Sequence, residues 1–349
     1  MKILIFGSYD PAYSRNHVLL KGLRENGVEV IECNTRGSNL TKLLSLLFKY
    51  VTGNYSYDVM LVPFPGQEVM LLARCLTSKP IVFDAFTSHY GGYILDREKY
   101  SKNSLRAAWY KWLDRTSCKR ADLVLLDTNA HIDFFVDAFE LPRPLFKKLY
   151  VGTNSEVMKP LGTRPENSIF TVHFYGNYIP LQGVEYIIKA AAILRNEEIV
   201  FNIIGRGQTF SQNKRLADSL GLANVRFIEK VPYAELAIFI NASDVCLGIF
   251  GHTTKAALVI PNKVYDALAC SRAVITARTS AIEELLQDQE HAILCRPADP
   301  EDLAAKILLL KNDRELRNRV AKTGHELFLK ELTEQHLGSQ LLSYIRELL

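Results

Sequence analysis

At 349 residues the chain exceeds what one hydrophobic core usually supports, since single cores stop growing near ~250 residues, so two domains are expected. Apolar residues make up 48% and charged residues 23%, a globular balance that excludes a disordered, collagen-like or disulfide-stapled chain. The net charge of +4 is small but uneven: residues 1–165 carry 22 basic and 16 acidic side chains, the remainder 20 and 22.

Only Ile3-Leu4-Ile5-Phe6 is apolar before Gly7, too short for the ~7–15-residue core of a secretion signal. The stretch from Leu40 to Val51 is interrupted by Lys42 and Lys49, whereas a spanning helix needs ~20 mostly apolar residues. The six cysteines are scattered without Cys-x-x-Cys spacing, which fits a reducing, cytoplasmic setting, and His17, His173, His252 and His291 have no metal-ligand spacing. No metal site is expected.

In chain order, short aliphatic and β-branched runs predict strands over 2–6, 29–33, 58–64, 80–86, 122–127 and 148–151, and then over 169–175, 199–204, 225–229, 244–249, 273–276 and 292–295. Helical patterns lie between them and close the chain from Pro300, Asp313 and Glu334. This alternation predicts an α/β protein of two doubly wound, Rossmann-like parallel-sheet domains. The stretch Lys159 to Asn167, with two prolines and a glycine, reads as a linker. The expected division is a first domain over 1–160, a linker over 161–167, a second domain over 168–332, and a closing helix over 333–349 that packs back toward the first domain. Ligands of open α/β sheets sit outside the carboxyl ends of strands, so chemistry is expected in strand-to-helix loops facing an interdomain cleft.

Gly205-Arg206-Gly207 follows a strand and precedes a helix; it either lets amides approach a phosphate or is a plain tight turn. Ile260-Pro261-Asn262-Lys263-Val264-Tyr265-Asp266 opens a helix with Asn262 as a candidate cap. Lys263 then stands in the first turn, where the macrodipole disfavours a lysine unless an anion is present, so a phosphate partner is suggested. Asp266, one turn on, is suited to ribose hydroxyls; the other reading is a solvated turn in which Lys263 and Asp266 pair with each other.

These pieces occur in an ordered series: Phe174-Tyr175-Gly176-Asn177 with Gly183-Val184-Glu185, Ile204-Gly205-Arg206-Gly207, Glu229-Lys230-Val231-Pro232, Ala242-Ser243-Asp244, Asn262-Lys263-Val264-Tyr265-Asp266-Ala267-Leu268-Ala269, and Pro297-Ala298-Asp299-Pro300. The series resembles the nucleotide-sugar domain of retaining glycosyltransferases of the GT-B fold, the large family 4 group (glycosyl transferases group 1). The resemblance implies transfer of a sugar from a nucleotide diphosphate to a glycan or lipid-linked acceptor, with retention at the anomeric carbon. It implies no cofactor beyond the donor, with a UDP-sugar favoured over a GDP-sugar. The donor contacts it implies, together with those suggested by position, are Gly7, Arg15, Gly176, Asn177, Gly205, Arg206, Lys230, Val231, Lys255, Pro261, Asn262, Lys263 and Asp266. On the acceptor side it points to Asp84 first and His89 second as catalytic groups.

Two departures stand out. Leu258 occupies the position of a glutamate that touches the donor sugar in many members, and Asn177 and Gln182 replace the usual Arg and Lys on the diphosphate. A nucleotide-sugar epimerase of the same fold and a non-catalytic nucleotide-sugar-binding protein are therefore alternatives.

Residues 97–120 carry eight basic and two acidic side chains, interleaved with Tyr100, Trp109, Tyr110 and Trp112. This composition suits an anionic membrane surface, which would make the protein peripheral on the inner face of the plasma membrane. The other reading is a solvated helix with its aromatics in the core. Nucleic acid is not the expected partner.

Overall fold

Short strands of three to six residues, most of them apolar and followed by a helix, pair into two parallel sheets. The computed structural model describes residues 1–35, 39–162 and 169–349. The chain divides into two units, Met1–Thr153 with Leu332–Leu349, and Asn154–Glu331.

In the first unit the elements run β1 (Lys2–Gly7), α1 (Ser14–Glu25), β2 (Glu29–Asn34), α2 (Asn39–Thr52), β3 (Val59–Val62), α3 (Gln67–Leu76), β4 (Ile81–Asp84), α4 (Leu105–Lys119), β5 (Leu123–Leu126), α5 (Asn129–Phe139) and β6 (Phe146–Lys148). The sheet order is β2-β1-β3-β4-β5-β6, all parallel. The central strands β3, β4 and β5 are buried throughout, as expected of a sheet covered on both faces. Helices α2, α3, α4 and α5 share one core with one face of the sheet, through Leu46, Met70, Cys118 and Phe135. On the other face lies α1. The last strand is displaced from the expected 148–151. Phe146 seats in the core opposite Val124, while the carbonyls of Leu149 and Tyr150 leave the ladder to bind a buried arginine described below.

In the second unit the elements are β7 (Phe170–Tyr175), α6 (Val184–Ile193), β8 (Ile199–Ile204), α7 (Phe210–Ser219), β9 (Val225–Ile228), α8 (Tyr233–Asn241), β10 (Val245–Leu247), α9 (Asn262–Ala269), β11 (Ala273–Ala277), α10 (Ser280–Glu283), β12 (Ile293–Cys295), α11 (Pro300–Asn312) and α12 (Arg314–Glu331). The sheet order is β12-β11-β10-β7-β8-β9, again parallel. Around the expected boundary at residue 160, Asn241 on α8 ties the chain to this unit: its side chain donates to the Lys159 carbonyl and accepts from the Leu161 amide, each at 3.0 Å. From residue 163 the expected linker lies outside the described residues.

The closing helix α13 (Glu334–Arg346) packs along α1, burying Leu337, Leu341 and Ile345 against Leu19 and Leu23. Gly22 and Gly338 meet at the crossing, where a Cβ on either would overlap the other helix's backbone. Among the described residues no helix is long and apolar enough to cross a membrane.

Candidate functional site

Each sheet reverses its strand order once, and ligands of open α/β sheets gather at that reversal, beyond the carboxyl ends of the strands. In the second unit the reversal falls between β7 and β10. The connections leaving β7 at Gly176 and β10 at Gly248 frame the candidate site, and α9 lies in the β10–β11 connection.

Pro261 takes the cap position of α9, and Asn262, expected as the cap, is the first helical residue. Proline has no side-chain oxygen to offer, so the first amides of α9 have no side-chain cap. Lys263 stands in this first turn and is buried. Its Nζ donates to Gln182 Oε1, lies 4.2 Å from the centroid of the Phe174 ring and 5.9 Å from that of Tyr175, and packs beside Gly176. Burial pushes this ammonium down to about 7, against the pull of Asp266. The positive end of α9 opposes the charge as well. An anion placed here relieves both penalties, which an amide oxygen and aromatic faces do only in part.

Asp266 is also buried; its carboxylate accepts from the Tyr175 hydroxyl and, at 3.2 Å, from the Tyr233 hydroxyl. Burial and the neighbouring carboxylate hold the Tyr175 hydroxyl protonated far above the usual phenol range. These two tyrosines were not among the expected site residues. The available signal was their position, Tyr175 directly before Gly176 and Tyr233 directly after Pro232. His173 completes the floor, stacked between Tyr175 and Phe239 with both ring nitrogens buried and without a hydrogen-bond partner. Burial, and then the charge of Lys263, push it down to about 3, so it stays neutral near pH 7.

The Gly205-Arg206-Gly207 turn is zipped to the loop after β7. Gly176 N donates to Ile204 O and Tyr178 N to Arg206 O, both at 3.0 Å. Gly205 has a φ of +123°, and a Cβ there would overlap the Gly176 carbonyl oxygen. Contact between the two loops is thus sufficient reason for the glycine. Arg206 is exposed, paired with Glu229 through Nε at 2.9 Å and through Nη2, and stacked 4.2 Å over Phe210. Asn177 is exposed just beyond Gly176, Lys230 and Val231 lie in the β9–α8 connection, and Lys255 sits in the single helical turn Thr254–Ala257. A cavity of about 210 Å³ opens at the same strand ends, lined by Pro180, Tyr186, Thr209, Asn213, His252 and neighbours. None of the expected donor contacts lines it.

Gly7, Arg15, Asp84 and His89 belong to the first unit. Gly7 ends β1. Arg15 and Asp84 are both fully buried and bound to each other: Nε reaches both carboxylate oxygens at 3.1 Å and Nη2 reaches Oδ1 at 2.8 Å. Nη1 donates to Leu149 O at 2.8 Å and Tyr150 O at 2.7 Å. This differs from the expectation of direct acceptor or phosphate contact, because a carboxylate and a guanidinium engaged on both sides inside a core have no free face for a ligand. The pair clamps α1, the end of β4 and the segment after β6. His89 is half-buried in the same unit beside Tyr93 and Tyr110, its Nδ1 buried and, among the described residues, without a hydrogen-bond partner, and its backbone amide held by Asp114 Oδ1 at 3.1 Å. Trp109 and Trp112 are exposed rather than in the core.

Residues 162–327, most of the second unit, match the family model Glycosyl transferases group 1. Among curated relatives, an uncharacterized glycosyltransferase of Methanocaldococcus jannaschii is 24% identical over 251 residues, covering 69% of this chain and 62% of the relative. The lipopolysaccharide core biosynthesis glycosyltransferase LpsE of Rhizobium meliloti is 23% identical over 171 residues, covering 49% and 48%. The matches thus span about half to under two thirds of these relatives. Among solved structures, Anabaena HepE in complex with UDP and glucose superposes with a TM-score of 0.75 at 17% identity, covering 99% of this chain and 100% of HepE. The fold is GT-B, two six-stranded parallel sheets flanked by helices.

Proposed function

We propose that this chain is a glycosyltransferase that moves a sugar from a UDP-sugar to a glycan or lipid-linked acceptor, with retention at the anomeric carbon, in the manner of family 4. The observation that carries the proposal is the buried Lys263 at the uncapped start of α9, at the reversal of strand order. UDP and glucose in the structurally similar HepE support the choice of donor, and the lipopolysaccharide core activity named for LpsE supports the class of acceptor.

In this reading Lys263 and the first amides of α9 bind the diphosphate, with Arg206 and Lys255 at its edge. As the glycosidic bond breaks, negative charge grows on the departing phosphate, and a cation already held in a dry site stabilises it without reorganising. The departing phosphate takes the acceptor proton on the same face, so no protein nucleophile is required. Asp266 receives the ribose hydroxyls with Tyr175 and Tyr233 as its supports. His89 is the acceptor-side group, and Asp84 acts through Arg15 by holding the loops around it. The protein works at the inner face of an anionic membrane, contacted through residues 97–120.

A thermal-shift panel of UDP, GDP, ADP and their sugars tests the donor. A ligand at ~100 times its dissociation constant adds about 2.7 kcal/mol, so UDP and a UDP-sugar are expected to raise the melting temperature. Stabilisation by GDP alone would replace the donor, and no response to any nucleoside diphosphate would overturn the reading.

A further inference from the structure

The first unit presents two apolar stripes that its core does not use. On α4, Leu105, Trp109 and Trp112 follow the i, i+4, i+7 spacing of one helix face and are 92%, 51% and 46% exposed, with the two indoles stacked at 4.9 Å. On α2, Leu44, Phe48 and Val51 repeat that spacing and are 61%, 70% and 69% exposed. The inward sides of both helices, Leu46 on α2 and Cys118 on α4, enter the same core, and α3 packs against both helices. Both stripes therefore point out of one helical layer.

The exposed charges of α4 are mostly basic, while on α2 Lys42 is paired with Glu68 of α3. Lys102, Arg106, Lys111 and Lys119 are exposed around the α4 stripe, and among the described residues Lys102, Lys111 and Lys119 have no acidic partner. The one acidic residue of α4, Asp114, is turned inward, where it accepts from the Ser88 hydroxyl at 2.7 Å and the Tyr90 amide at 2.9 Å. The α4 stripe, rimmed by unpaired cations and continued by the apolar stripe of α2, matches an anionic bilayer, whose phosphates take the cations while indoles settle at the headgroup level. A second copy of the chain fits poorly, because a two-fold contact would set this positive rim against itself.

We infer that α2 and α4 together form a docking surface for an anionic lipid bilayer, with Phe48, Val51, Leu105, Trp109 and Trp112 entering the boundary between headgroups and acyl chains. The inference rests on the membrane reading above and extends it to α2, which carries no basic cluster and was not part of that reading.

Trp109 and Trp112 are the only two tryptophans in the chain, so its intrinsic fluorescence reports this face alone. Titration with phosphatidylglycerol vesicles is expected to shift the emission to the blue, phosphatidylcholine vesicles to leave it unchanged, and salt to reverse the shift. The variant Leu44→Ser/Phe48→Ser/Val51→Ser is expected to bind the anionic vesicles at least about tenfold more weakly at an unchanged melting temperature, since only exposed side chains are altered. If that variant binds like the unaltered protein while Trp109→Ser/Trp112→Ser, which has no tryptophan and is followed by co-sedimentation with the vesicles, does not, α4 acts alone; the inference fails and the membrane reading stands. No anionic preference in the unaltered protein overturns both. A lipid-free dimer that dissociates on Phe48→Ser/Trp109→Ser also overturns the inference, by assigning the face to a second copy.

Discussion

Two buried cations, Arg15 and Lys263, each stand on a helix that follows a strand at the reversal of order in its own unit. Arg15 meets the carboxylate of Asp84 and two backbone carbonyls, whereas Lys263 meets one amide oxygen and the faces of two aromatic rings. A guanidinium whose hydrogen bonds end inside the core is part of the architecture. An ammonium held down to about 7 by burial, at the positive end of a helix, is short of negative charge, and a diphosphate supplies it. Burial alone does not separate these two cations; how far each is satisfied by the protein does.

The largest test of this contrast is Asp84→Ala. It strands the Arg15 guanidinium in the core and should cost about 3–5 kcal/mol of unfolding free energy in urea denaturation, with UDP affinity of the folded protein unchanged. A cost below about 1 kcal/mol would make the two cations alike. Lys263→Met is expected to behave in the opposite way. Stability should hold or rise, because a costly buried charge is replaced by an apolar chain of similar length, while UDP affinity by calorimetry drops about ten- to hundredfold. Equal UDP affinity would remove the phosphate from Lys263.

The pH dependence sharpens the contrast. Between pH 7 and 10.5 the unfolded chain keeps a proton that folded Lys263 has lost, so this group's contribution to stability rises with pH across that window. UDP affinity should run the other way, falling by up to about tenfold per pH unit above 7 as the free site loses its charge. His173 acts at lower pH. Its folded value of about 3 lies below the ordinary 6.5, so the unfolded state takes up protons first and stability is lost as pH falls from 6.5 toward 3. His173→Phe should flatten that part of the curve in denaturation measured at pH 5 and pH 7. The smallest effect is expected for Asp266→Asn, a few-fold loss of affinity for UDP and less for its 2′,3′-dideoxy analogue, on the scale of one weakened hydrogen bond. Equal losses for both ligands would take the ribose away from Asp266.

Much of this arrangement was legible along the chain. The strands announced themselves as short aliphatic runs such as Ile3–Phe6 and Ile199–Ile204, and Lys263 stood out because a lysine in a helix's first turn is a local anomaly. The Arg15–Asp84 clamp was hidden because its partners are 69 residues apart, and no periodicity links them. The Tyr175–Asp266 bond, across 91 residues, was hidden in the same way. Trp109 and Trp112, three apart, had to share a helix face, but which face depended on where Leu113, Asp114 and Cys118 found room, and they took the inside. Spacing fixes which side chains neighbour each other on an element, while packing between elements decides which of them meet water.

The most direct test of the phosphate assignment is an NMR titration of the Lys263 Cε resonance with pH, in the free protein and with saturating UDP. The free ammonium is expected to titrate near 7, and UDP should raise that midpoint by one unit or more, since each unit corresponds to about 1.4 kcal/mol of attraction between the bound anion and the charged lysine. A midpoint that UDP leaves in place, under conditions where UDP is bound, would show that the diphosphate lies elsewhere.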